Sequence, residues 1–338
     1  MSYKLRLFLV AGFTMIASSG CSAKSPTSPA EIVKPTLYES TSVPVRINMD
    51  SITPINYPSV DGSTSAYPLQ IQIACNILGV SCGWHDAGPF EPTRRLGPDP
   101  LISEPNDAED RIHEIWHSGT HSAYMNLIGG GSDIILVARP PSDDELAAAK
   151  GEGIVFELRP VALDAFVFLS NAENPIDSVS LHDLRAAYTG EIKDWVELGG
   201  TSGSIHTYQR NRNSGSQELM EKLVMGGAEM IDSPDMILES MMGPINAISD
   251  DPLGLGYSVY FYAEYIFPHE QVKVLAVDGV FPTPESIAER SYPLSTEVYA
   301  VIREGTPGDH PARTLFDWLL TEEGQTAVSQ SGYVPFHP

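Results

Sequence analysis

Apolar and polar positions along this chain switch repeatedly between two periods. Short apolar runs at residues 134–138, 154–160 and 165–169 carry the β-branched and aromatic character of strands, and 54–57 reads the same way. Helical spacing follows these runs in turn, predicting helices over 67–78, 143–150 and 181–188. Ser142 with Glu145 has the pattern of a capping box, and Thr283-Pro284-Glu285 is a good helix start. A last helix is predicted over about 312–330, with Leu315, Trp318, Leu319 and Val328 on one buried side. Residues 83–110, rich in Pro and Gly, read as a long surface loop. Strands alternating with helices make an α/β protein, and no internal repeat is visible.

The N-terminus breaks this pattern. Lys4 and Arg6 precede an 11-residue apolar core at 7–17 and the small residues Ser18-Ser19-Gly20, the layout of an export signal too short for a confident membrane span. Small residues directly before Cys21 resemble the bacterial lipoprotein signal, which implies cleavage after residue 20 and lipidation of Cys21. Ser18 stands where that signal usually has leucine, so plain secretion is the alternative. Residues 21–48 then form a Ser/Pro-rich tether and the approach to the first strand. Cleavage leaves 318 of the 338 residues, enough for two lobes of ordinary size.

Charge excludes one class of partner. Removing Lys4 and Arg6 takes the formal net charge from −24 to −26, which argues against nucleic acid. It does not exclude a small anion, because surface fields are screened over about 8 Å while buried donors touching a ligand are not. Of the three cysteines, Cys75 and Cys82 stand seven apart in an exported chain and are a plausible disulfide, two buried thiols being the alternative.

The chemistry concentrates at 208–217, Y-Q-R-N-R-N-S-G-S-Q. Ser214 is a good N-cap, Gln217 completes an S-x-x-Q capping box, and Leu219, Met220, Leu223 and Val224 follow at helical spacing. Free N–H groups converge near Gly215 and Ser216, and Arg210 adds a planar fork of donors: an oxyanion clamp. A rival stands at His113-Glu114-Ile115-Trp116-His117, a literal H-E-x-x-H that would bind zinc in a metallopeptidase, with Glu145 as an arbitrary third ligand. Ser118-Gly119-Thr120 breaks any helix at once, so the favoured reading is an amphipathic helix burying Ile112, Ile115 and Trp116. Asp164, opening D-A-F-V-F, has no partnered acid or base nearby and reads as strand-edge packing.

Several segments occur in a recognisable order: D-G-S-T-S at 61–65, H-S-G-T-H-S-A-Y at 117–124, G-G-S-D at 130–133, N-P-I-D-S-V-S-L-H-D-L-R-A-A-Y-T-G-E-I-K-D-W at 174–195, R-N-R-N-S-G-S-Q at 210–217 and Y-P-L-S at 292–295. Together they resemble the phosphate-binding solute receptors of bacterial ABC transporters, which have a two-lobed periplasmic binding protein-like (type II) fold. The resemblance implies lobe one at 49–163 plus 293–338 and lobe two at 164–292, with the ion in the cleft between them. It implies hydroxyls and N–H groups from Ser63, Thr64 and Ser65, a hydroxyl from Ser118 or Thr120, and closure from the other lobe by Arg210, Ser214, Gly215 and Ser216. Asp133 is expected to accept the proton of hydrogen phosphate and thereby to reject sulfate.

The implied protein is a monomeric, non-enzymatic receptor, lipid-anchored outside the cytoplasm, that delivers inorganic phosphate to an ABC permease and needs no cofactor. The alternative within the same fold is a receptor that feeds a sensor rather than a transporter.

Overall fold

The computed structural model describes residues 47–88, 91–99 and 106–336. The export signal, Cys21 and almost all of the tether lie outside the described residues. In chain order the first half contains β1 (Val60–Gly62), α1 (Tyr67–Leu78), β2 (Cys82–Gly88), β3 (Glu91–Pro98), α2 (Asp107–His113), α3 (Thr120–Ile128), β4 (Ile134–Val137), α4 (Asp143–Gly151) and β5 (Phe156–Asn171). There follow β6 (Ser178–Val179), α5 (Leu181–Thr189), β7 (His206–Thr207), β8 (Gln209–Arg210), α6 (Gly215–Leu219), β9 (Ile237–Leu238), α7 (Gly243–Ser249), β10 (Gly254–Val259) and β11 (Val272–Val277). The chain closes with α8 (Pro284–Ala288), β12 (Ser295–Arg303), α9 (Pro311–Trp318), α10 (Glu322–Gln330) and β13 (Val334–Pro335). Among the described residues no helix is long and apolar enough to cross a membrane.

One strand organises the rest. Residues 156–165 of β5 pair with β12, whereas its residues 166–171 pair with β10 and β11, so the neighbours change at Ala165 and Phe166. β4 extends the first half of the sheet beyond β12, and β1 lies parallel to β4 at the edge. Two main cores follow: Phe166, Phe168, Tyr188, Trp195 and Tyr257 in one, Leu69, Ile73, Val298, Phe316 and Leu319 in the other.

The predicted helix over 67–78 is α1, ended by Gly79 in a left-handed conformation. The predicted strand at 54–57 is instead a turn, and the edge strand is β1, only three residues long. The two runs at 154–160 and 165–169 are one strand. Pro160 does not end the first: it sits opposite Tyr299 at a register shift where β5 carries one extra residue, Val161, and the ladder there tolerates a missing N–H.

Part of the expected loop at 83–110 is the hairpin β2–β3, with Trp84 opposite Leu96 and Arg94 5.2 Å over the indole ring. The expected last helix is two, because the Thr321 hydroxyl caps a new start at Gly324 N–H (3.2 Å) and bonds back to the Trp318 carbonyl (2.7 Å). Cys75 and Cys82 form a disulfide that ties the end of α1 to the start of the hairpin.

Candidate functional site

Three chain segments meet where β1 and β4 end. In parallel α/β sheets ligands collect at the carboxyl ends of the strands, because each strand there turns into a helix whose first N–H groups are free. After β1 the turn through Ser63, Thr64 and Ser65 leads into α1. Ser63 N–H is held by the Leu136 carbonyl (2.9 Å), and its hydroxyl accepts from Ala138 N–H (3.0 Å). Among the described residues the N–H groups of Thr64 and Ser65 have no hydrogen-bond partner.

The second segment, Ser118–Gly119, leads into α3. Gly119 adopts φ 88° and donates to the Gly62 carbonyl (3.1 Å), fixing the start of α3 against the end of β1. Thr120 and Ser63 share a hydrogen between their hydroxyls at 2.7 Å. Asp61, missed as a site residue in the sequence, organises this corner. It is buried and takes four donors: Gly62 N–H (2.7 Å), Ser118 N–H (2.7 Å), the Ser118 hydroxyl (2.7 Å) and the Asn126 amide (2.8 Å). The Ser118 proton is thus committed to Asp61, and its oxygen also accepts from the Asn126 amide (3.4 Å).

The third segment comes from the other half. β8 lies parallel to β9, which sets Arg210 beside Leu238. Arg210 Nε donates to the Leu238 carbonyl (2.9 Å), Nη2 to the Glu239 carbonyl (2.9 Å) and Nη1 to the Ser216 hydroxyl (3.2 Å). No carboxylate pairs with it among the described residues, it is only 7% exposed, and burial pushes its pKa down. Ser214 caps α6 by accepting from Gln217 N–H (3.2 Å), while Gly215 and Ser216 N–H have no partner among the described residues. α6 runs on into a π-helical stretch, Met220–Met225.

Gln217 does not complete the expected capping box. Its Oε1 accepts from Arg210 N–H (3.2 Å) and from the Tyr257 hydroxyl, so it braces the arginine strand instead of closing back on Ser214. Asn213, at φ 68°, takes the left-handed turn that aims the loop at the cleft.

Nine predicted residues, Ser63, Thr64, Ser65, Ser118, Thr120, Arg210, Ser214, Gly215 and Ser216, line one cavity of about 700 Å³, together with His121, Arg212 and Tyr262. Asp133 does not. It stands at the opposite end of β4, where Oδ2 accepts from Ser59 N–H (3.0 Å) and Oδ1 lies 3.5 Å from Arg303. The five residues of extended chain from Asp133 to Ala138 at the cavity wall span about 16 Å.

The H-E-x-x-H reading fails on helix geometry. α2 ends at His113 and Glu114 is its C-cap, so His117 is not one helical turn away on the same face but packs against the Tyr67 ring at 4.8 Å. Glu145 is bound to Arg139 and His121. Among the described residues no three His, Cys, Asp or Glu side chains are grouped to hold a metal. Trp116, expected inside, is 67% exposed, because the helix stops before it.

The model of the PBP superfamily domain matches residues 113–323, more than half of the chain. The chain belongs to the PBP superfamily. It is 30% identical over 176 residues to the phosphate-binding protein PstS of Bacillus subtilis, 51% of this chain and 56% of that protein's length. PstS of Staphylococcus aureus is 23% identical over 234 residues, covering 68% of this chain and 71% of the relative.

Among solved structures, a candidate phosphate ABC transporter substrate-binding protein from Clostridium perfringens, with bound phosphate, superimposes with a TM-score of 0.62 at 22% identity, covering 83% of this chain and 99% of that one. An ABC-type phosphate transport receptor from Vibrio cholerae gives 0.57 at 17% identity, covering 85% and 100%. The PBP fold is therefore two-lobed here, and the segment carrying Arg210 faces the segments after β1 and before α3 across its cleft.

Proposed function

We propose that this PBP superfamily protein is an extracytoplasmic receptor that captures hydrogen phosphate between its lobes and delivers it to an ABC permease, held at the membrane through lipid on Cys21. Arg210 carries the reading: a buried guanidinium that no carboxylate neutralises among the described residues favours an anion beside it, and the cavity it lines is walled by hydroxyls and free N–H groups. In this reading Arg210, Ser214, Gly215 and Ser216 hold the ion from lobe two (164–292). Ser63, Thr64, Ser65, Ser118 and Thr120 hold it from lobe one (49–163 and 293–338). Only the closed arrangement satisfies every contact, which couples capture to lobe closure. The phosphate named for the Bacillus and Clostridium relatives supports the choice of ligand, and the disulfide suits an oxidising compartment.

Micromolar binding needs about 8 kcal/mol, and charge-assisted hydrogen bonds contribute roughly 1.5–3 kcal/mol each, so this contact set is sufficient. Calorimetry on phosphate-stripped full-length protein tests the reading. Phosphate should bind in the micromolar range or tighter, and Arg210→Ala should weaken it by about 100-fold or more, the loss of a buried charged partner. Unchanged binding in that variant would remove the assigned clamp. Cys21→Ser should move the protein from the membrane to the soluble fraction.

A further inference from the structure

A cavity built almost wholly of donors does not by itself tell hydrogen phosphate from sulfate. Hydrogen phosphate brings one O–H, and that proton needs an acceptor on the wall. Asp133 lies elsewhere, the oxygens of Asp61 are already filled by four donors, the Ser118 oxygen already accepts from the Asn126 amide (3.4 Å), and Glu239 is an exposed residue at the rim.

We infer that His121, in the first turn of α3, is the group that accepts the ligand's proton and sets the preference for a protonated oxyanion. Its Nδ1 lies 3.0 Å from Glu145 Oε1. Glu145 is fully buried and already takes Arg139 Nη1 (2.8 Å), Arg139 Nη2 (2.9 Å) and Ser142 N–H (2.8 Å), so it offers His121 only lone pairs. The proton between them therefore resides on Nδ1, and in the neutral ring Nε2 is left as an acceptor. Nε2 has no protein partner among the described residues, 30% of the side chain is exposed, and His121 is one of the residues lining the cavity. The charges around the ring are Asp144 and Glu145 on α4 and Arg139 after β4, with Arg210, Arg212 and Glu239 on the far wall. A sulfate oxygen placed against Nε2 meets a lone pair, whereas a phosphate hydroxyl donates to it.

This inference rests on the phosphate reading, and its failure can be told from failure of that reading. Binding of inorganic phosphate and of sulfate to full-length protein is measured at pH 8 for the unaltered chain, for His121→Phe and for Ser118→Ala. In His121→Phe, phosphate affinity should fall about tenfold to 100-fold while sulfate affinity does not fall, so the ratio between them collapses. A ratio unchanged in His121→Phe but lost in Ser118→Ala would give the acceptor role to the Asp61-oriented hydroxyl and overturn this assignment. Absence of phosphate binding by the unaltered protein would instead remove the phosphate reading itself. If His121→Phe does not fold, nitrogen-15 spectra of the unaltered protein decide. In the phosphate complex the His121 ring must carry its proton on Nδ1 alone, and a ring protonated on both nitrogens, or one that phosphate leaves unaffected, overturns the proposal.

Discussion

Gly215 faces Thr120 so closely that a methyl group on its Cα would lie 2.5 Å from the Thr120 hydroxyl oxygen. Gly215→Ala should therefore weaken phosphate by about tenfold or more by holding the lobes apart, with the thermal midpoint unchanged; calorimetry and a melting curve separate the two. That Arg210, Ser214, Gly215 and Ser216 share one cavity wall was legible because they are adjacent in the chain and gathered by one helix start. Asp133 was misread because an aspartate before an apolar run looks the same whichever end of the strand the site occupies. Only the parallel pairing of β1 with β4 decides that, by gathering their carboxyl ends. Asp61 was hidden for the opposite reason: its partners Ser118 and Asn126 are 57 and 65 residues away.

Elements with a strong local period were read to within a residue, as α1, α4 and α5 illustrate. The hairpin β2–β3 was not, since its glycines and prolines mask an alternation that depends on Leu96 being covered and Trp84 meeting Phe261 across 6.3 Å. The same hairpin should depend on the Cys75–Cys82 bridge. Closing a loop of this size contributes about 2.5 kcal/mol on chain-entropy grounds, so reduction with dithiothreitol should lower stability by about that much. Hydrogen exchange should then rise first in β2 and β3, leaving the β4–β12–β5 ladder protected.

At the scale of the molecule, Asp164 sits one residue before the change of neighbours in β5. Its Oδ1 accepts from Ala165 N–H (2.8 Å) and Phe261 N–H (3.0 Å), while its buried Oδ2 has no partner among the described residues. Burial raises its pKa from 3.8 to about 7. A carboxyl that holds its proton longer folded than unfolded makes stability fall as pH rises from about 4 to about 7 and level off above. Asp164→Asn should remove that slope and raise the melting temperature at pH 8, the full effect being on the order of a few kcal/mol. An equal pH slope in the variant would clear Asp164 of the role.

The routing of the chain has a practical consequence. Ile47 and Met49 pack into the core that also holds Tyr333, whereas Val334 and Phe336 pack against the core of Phe166 and Tyr257, so the two described ends of the chain are anchored differently: the first in one half, the last against both. A fluorophore placed at residue 47 therefore reports on one half alone, while one at residue 336 sits against both and is a poor reference for either. A distance sensor for ligand capture needs its second label on α5, where the His182 side chain is 87% exposed and far in sequence from every residue of the cleft.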